Sequence, residues 1–273
     1  MSDPVSLIAL GAVVGGAAGK FTEKAYDSLS VWVGEYFNTH QPKAKEKAQQ
    51  NGLDFLVELS QRVQTLEQSG RVPKEQIETA QENPNFSDAL HKSLMVAAQT
   101  DNKEKHILLA NTLSERLAAE PESLLALTSK MSLDVISNIT PNQLNILGFT
   151  LEIMFISPSS STNEEHYILW LKERYKHYMN LTISNLDLVH LEALSCLKSN
   201  HFISRDINQV LTIKNQNRGF KKDFLEQDDV GRKIKELWDN KIERVDLTSV
   251  GQLLGVHVSN LKTGTFTPLD YFK

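Results

Sequence analysis

Thr140-Pro-Asn-Gln-Leu-Asn-Ile-Leu-Gly-Phe-Thr-Leu-Glu-Ile-Met-Phe-Ile156 decides the fold class. It opens with a capping Thr140, a proline at the first helical position, Pro141, and Gln143 three residues after the cap. Side chains in that order take up backbone groups that a helix start leaves unpaired. From Leu144 to Ile156 the stretch is apolar at nine of thirteen positions, on nearly every face. A helix of that kind has to be surrounded by protein, so it is expected to be the buried central helix. Upstream, Phe86, Ala89, Leu90, Leu94, Ala97 and Ala98 recur at helical spacing. Asp101-Asn-Lys-Glu104 reads as a capping box before a helix carrying Leu109, Leu113 and Leu117. Leu124, Leu127, Met131 and Val135 add a third apolar stripe.

The bulk numbers set limits. The chain has 273 residues, 40% hydrophobic and 23% charged, which is ordinary for a globular protein with a proper core. Few glycines (13) and prolines (8) favour helices. A net charge of −5 argues against wholesale nucleic-acid binding, which needs a concentrated positive surface. Cys196 is the one cysteine, so an internal disulfide and a cysteine-cluster metal site are both excluded, and its apolar neighbours mark it as a buried thiol.

Ser2-Asp-Pro4 is a good helix start, and from Val5 to Gly19 the only polar side chain is Ser6. With no basic residue before it, this run does not read as a secretory signal. It is also shorter than the roughly 20 apolar residues a membrane span needs. Gly11, Gly15 and Gly19 stand four apart, so one helix would put them on one face, where glycine lets two backbones approach closely. Two readings stay open: a seam within a protein assembly, or a membrane contact through residues 4–20. Phe21, Ala25, Leu29, Trp32 and Tyr36 then form a stripe, in which Trp32, Tyr36 and Phe37 serve as core packing or as interfacial aromatics. Leu53 to Gln68 is a further amphipathic helix, closed by Gly70 and Pro73.

Ser157-Pro-Ser-Ser-Ser-Thr-Asn163 reads as a linker, and Glu164 to Asn180 as an aromatic-rich helix. From Leu186 the order is helix, short helix near Ile207–Leu211, polar loop, helix to Trp238, strand at Arg244–Thr248 and closing helix. That is a winged-helix-like order. The expected fold is therefore mainly α: a Gly-rich amphipathic helix in residues 1–41, a helical bundle in 42–157, a linker plus aromatic helix in 158–183, and a winged-helix-like module in 184–273.

Residue patterns that carry chemistry are scarce. There is no phosphate-cradling glycine loop, nucleophile elbow or His-Glu-x-x-His helix. Asp88/His91 and Asp187/His190 have carboxylate–histidine spacing, but eight histidines among 34 acidic residues give such pairs by chance. No metal, cofactor or catalytic residue is expected. Arg218, Phe220, Lys221 and Lys222 form a candidate nucleic-acid wing, opposed by Glu226, Asp228 and Asp229 directly after it.

Ala89-Leu90, Ala97-Ala-Gln-Thr-Asp-Asn102, Leu108-Leu-Ala-Asn-Thr-Leu113, Ile139-Thr-Pro-Asn-Gln-Leu-Asn-Ile-Leu147 and Val245-Asp-Leu-Thr-Ser-Val-Gly-Gln-Leu-Leu254 together resemble the Abi-alpha family of bacterial abortive-infection proteins. The likeness covers residues 86–156 and 184–260, and departs at Asn142-Gln143, where an acidic residue is expected. It implies a bacterial cytoplasmic protein, at most peripheral at the inner face of the membrane, linked to phage defence and without known enzymatic activity. It gives the Gly11/Gly15/Gly19 segment a role as a membrane-disturbing or self-assembling effector helix. The partner is then a second copy or another protein, and nucleic acid is not expected. The competing expectation is a soluble adaptor whose winged-helix-like module binds protein or DNA.

Overall fold

A computed structural model describes residues 15–39, 42–158, 163–200, 202–214, 224–239 and 241–267. It is mainly helical with one small sheet, and it divides into two compact units, residues 1–138 and 139–273.

In the first unit the helices are α1 (Gly16–Tyr36), α2 (Pro42–Gln68), the short α3 (Lys74–Thr79), α4 (Pro84–Ala98), α5 (Lys103–Ala118) and α6 (Leu124–Ile136). The long α2 is the hub, packing on α1, α4 and α5. Its Phe55, Leu56, Leu59 and Val63 are fully buried, as are Leu29 of α1 and Leu109 and Leu113 of α5. Local chemistry sets the helix starts. The Asn83 side chain accepts hydrogen bonds from the amides of Asn85 (2.9 Å) and Phe86 (3.3 Å). For α5 the cap is Asn102, which accepts from the Lys105 amide at 3.0 Å. The expected capping box at Asp101 does not form: the helix starts one residue later on a simple Asn102 cap, with Lys105 at the third helical position, and Asp101 instead pairs with Lys47 at 2.8 Å. A carboxamide one position on reaches the amides as well as a carboxylate does, and Asp101 has a lysine to meet.

The second unit holds α7 (Pro141–Phe155), α8 (Glu164–Tyr175), α9 (Asn185–Ala193), β1 (Leu197–Ser199), α10 (Ile207–Lys214), α11 (Asp229–Trp238), β2 (Val245–Leu247) and α12 (Ser249–Thr263). β1 and β2 pair antiparallel, with Leu197 opposite Leu247 and Ser199 opposite Val245. The capping box at Thr140 and Gln143 forms as expected, and Leu144, Ile146, Leu147, Phe149, Leu151 and Ile153 of α7 are all buried. Helix α12 lies along α7, close enough that a Cβ on Gly148 would stand 2.6 Å from Val258 Cγ1, and one on Gly255 would stand 2.9 Å from the Leu147 carbonyl oxygen. The fully buried Glu152 adds a polar lock: it accepts from Arg174 of α8 at 2.6 Å (Nε) and 2.8 Å (Nη2), and from the Ser259 hydroxyl of α12. Two opposite charges buried together and fully hydrogen-bonded hold three helices in one register.

The bundle was expected to run to residue 157. The boundary falls instead between Asn138 and Ile139, because α7 has α12, α10 and β2 as neighbours and so belongs with the C-terminal elements.

The two kinds of helical glycine separate experimentally. Replacing glycine by alanine inside an open helix stabilises by up to about 1 kcal/mol. Gly34, with nothing within 4 Å of an added Cβ, should follow that rule. Gly148→Ala should instead lower stability by about 1–3 kcal/mol, since the added methyl strikes stiff, buried neighbours. Urea midpoints of the two variants should move in opposite directions; movement the same way contradicts the close approach of α7 and α12.

Candidate functional site

Helix α6 offers two apolar stripes, and the fold uses the less hydrophobic one. Ala126, Ser129, Ser132, Leu133 and Ile136 face inward and are buried. Leu124, Leu127 and Met131 face outward and are 75%, 52% and 50% exposed. The expected stripe of Leu124, Leu127, Met131 and Val135 is thus corrected, only Val135 being buried. The physical reason is size. A face of alanine and serine lets α6 settle close against α5 and α4, where leucine would hold the helices apart. The Ser129 and Ser132 hydroxyls are buried without a hydrogen-bond partner, so these residues are there for their volume.

Next to the outward stripe lies a strip of alternating charge. Lys92 of α4 stands 3.3 Å from Asp88 and 3.4 Å from Asp134 of α6, and Lys130 stands 3.9 Å from Asp88. All four side chains remain 38–53% exposed. The hydrogen bond to Asp88, with the Asp134 charge behind it, raises the Lys92 pKa. At 100° per residue, Lys92 leans toward α6 while its neighbour His91 leans the other way, toward α1. There the His91 ring meets Trp32 edge-on at 6.4 Å. Trp32 also stacks on Tyr36 (5.4 Å, 22°) and meets Phe37 edge-on at 6.0 Å.

The expected aromatic cluster therefore exists as a surface cluster, Tyr36 being 51% exposed and Trp32 half-buried. Across α1, α4 and α6 the first unit presents one continuous face: aromatic, then charged, then aliphatic. Single exposed apolar side chains are common; here two leucines and a methionine are exposed at helical spacing on one helix.

The other sequence candidates fare differently. Gly15 is extended and caps α1 from outside, while Gly16 takes a positive φ of 74°. The helix thus starts between Gly15 and Gly19, and these two do not share a helical face. A carboxylate makes this stop: Glu67 of α2 accepts from the Ala17 amide at 3.1 Å and the Ala18 amide at 3.0 Å, taking the place of an earlier helical turn. Gly11 lies outside the described residues, as do most of residues 4–20 and all of Arg218, Phe220, Lys221 and Lys222. Cys196 is buried, and desolvation pushes its thiol up to about 12, which leaves no thiolate for nucleophilic work at neutral pH. His190 contacts the Gln143 side chain at 3.1 Å, and Asp187 caps α9 with Ser184. Among the described residues no group of three or more His, Cys, Asp or Glu is placed to hold a metal ion, and no helix is long and apolar enough to cross a membrane.

A family model matches residues 19–236, most of the chain, and the family is uncharacterised. The match does not single out the abortive-infection proteins. No curated protein and no solved structure matches the chain.

The inside-out arrangement of α6 makes an unusual stability prediction. Leu127→Asp should change stability by no more than about 0.5 kcal/mol, as surface substitutions do. Ser132→Leu should cost about 1–3 kcal/mol by overpacking the α5–α6 contact. Thermal melts that show the reverse order would mean that the leucine stripe is the buried one.

Proposed function

The chain belongs to this uncharacterised family, and we propose that it is a non-enzymatic bacterial protein that acts by contact, as an abortive-infection-type defence effector. The observation that carries the contact role is the outward stripe Leu124, Leu127 and Met131, continued through the charged strip to Trp32 and Tyr36. Burial of such side chains against a protein is worth about 25 cal/mol per Å² of apolar surface. The defence role rests on the Abi-alpha resemblance of residues 86–156 and 184–260. The glycine-rich residues 4–20 enter as a second contact, with a membrane or a protein seam, on their sequence alone. The site of action is the cytoplasm or the inner face of the membrane.

The second role is that of an adaptor through the C-terminal unit. Its order α9–β1–α10–α11–β2 follows a winged-helix order as far as the second strand, which favours a binding module. A protein partner suits it better than DNA. Arg232, Lys233 and Lys235 of α11 are engaged by Asp229, Glu236 and Glu226, so their charge is largely met within the unit.

Expression in bacteria with and without phage challenge tests the contact role. Leu127→Asp should abolish growth arrest or protection while protein level and helicity stay normal. Leu186→Asp, at a still more exposed leucine of the second unit, should leave the effect intact. Full activity of the Leu127→Asp protein would remove the α6 face from the mechanism.

A further inference from the structure

We propose that the face formed by α1, α4 and α6 docks on the same face of a second copy of this chain, with Asp88 and Lys92 over the second copy's Lys130 and Asp134. This rests on the contact role given above and names its partner.

The arrangement of charge carries it. Asp88 meets Lys130 and Lys92 meets Asp134, so α4 and α6 run in the same sense past each other and their four side chains form a square. Around the square the signs alternate: Asp88, Lys92, Asp134, Lys130. An interface between identical copies about a twofold axis has to be complementary to itself. Take that axis in the plane of the face, parallel to the helices and through the centre of the square. The rotation exchanges α4 with α6, so each acid lands on a base and each base on an acid. The same rotation lays the aromatic group around Trp32 and Tyr36 on the aliphatic stripe of Leu127 and Met131, twice over. Aromatic rings on aliphatic side chains make well-packed contacts. A foreign partner demands no such inner symmetry of the patch. The square is also neutral, so a chain of net charge −5 brings no like charges together where it meets itself.

The test is sedimentation velocity of the full chain from about 1 to 200 µM, with circular dichroism confirming the fold of each variant. Wild type should form a dimer. Asp88→Lys alone, or Lys130→Asp alone, places like charges opposite each other at two points and should weaken self-association by at least about tenfold. Mixed in equal amounts, the two variants should recover a one-to-one dimer, because every facing pair is then opposite in sign. Pairing α6 antiparallel on α6 would not recover on mixing, since Asp88 would then face Lys92. A wild type that stays monomeric over this range overturns the second copy as occupant, as do variants that separate but fail to recover together. If wild type is monomeric and Leu127→Asp still loses its cellular effect, the contact role stands with another partner. If mixing recovers the dimer and Leu127→Asp remains active in cells, the dimer stands and the contact role falls.

Discussion

Ala126, Ser129 and Ser132 line the inner side of α6 and let it lie close to α5 and α4, and the apolar outer side of α6 follows from that choice. A helix has about 100° per residue to distribute. Once the small side chains are turned inward, Leu124, Leu127 and Met131 have nowhere to go but out. The cost is doubled, since two serine hydroxyls are buried without partners while three large apolar side chains stay in water. Either feature by itself is unremarkable in a stable domain. Together they leave α6 with the apolar outer surface that the proposed second copy would cover.

The second unit shows the opposite economy. Helix α7 is apolar on almost all faces and covered on almost all of them, with α12 pressed against its Gly148 side. Its one charged residue, Glu152, is fully buried and held by Arg174 and Ser259. The three hydrogen bonds that this carboxylate accepts tie α7 to α8 and α12. Trp170 lies under the Arg174 guanidinium at 5.4 Å and shields the pair further. Chemistry that looks like a site by residue type is here part of the frame.

Features set by a few neighbouring residues were legible in the sequence. Thr140, Pro141 and Gln143 announce the start of α7, and the uniform apolarity of Leu144 to Ile156 announces its burial, because neither depends on distant partners. The strand at β2 and the closing helix α12 were legible for the same reason. Choices between near-equal alternatives were not. On α6 the stripe of leucine and methionine is the more hydrophobic, and only the packing partners make the serine face the better fit. The four-residue spacing of Gly15 and Gly19 suggested one helix face, but a carboxylate from Glu67, some fifty residues away, ends the helix between them. The boundary at Asn138 depends on which helices α7 touches, and no polar linker marks it. The charged square was invisible for a related reason: Asp88, Lys92, Lys130 and Asp134 are unremarkable helix-surface residues until α4 and α6 lie side by side.

The account turns on one structural statement, that the α1–α4–α6 face is open in the single chain and closed in its working state. Hydroxyl-radical footprinting read by mass spectrometry, at low and at high protein concentration, addresses it directly. Met131, Leu127 and Trp32 should be labelled strongly in the dilute chain and lose that labelling together as the concentration rises. Labelling of the exposed Leu186 should stay constant. Weak labelling of Met131 and Leu127 in the dilute chain would contradict the account at its base, by placing those side chains in the core.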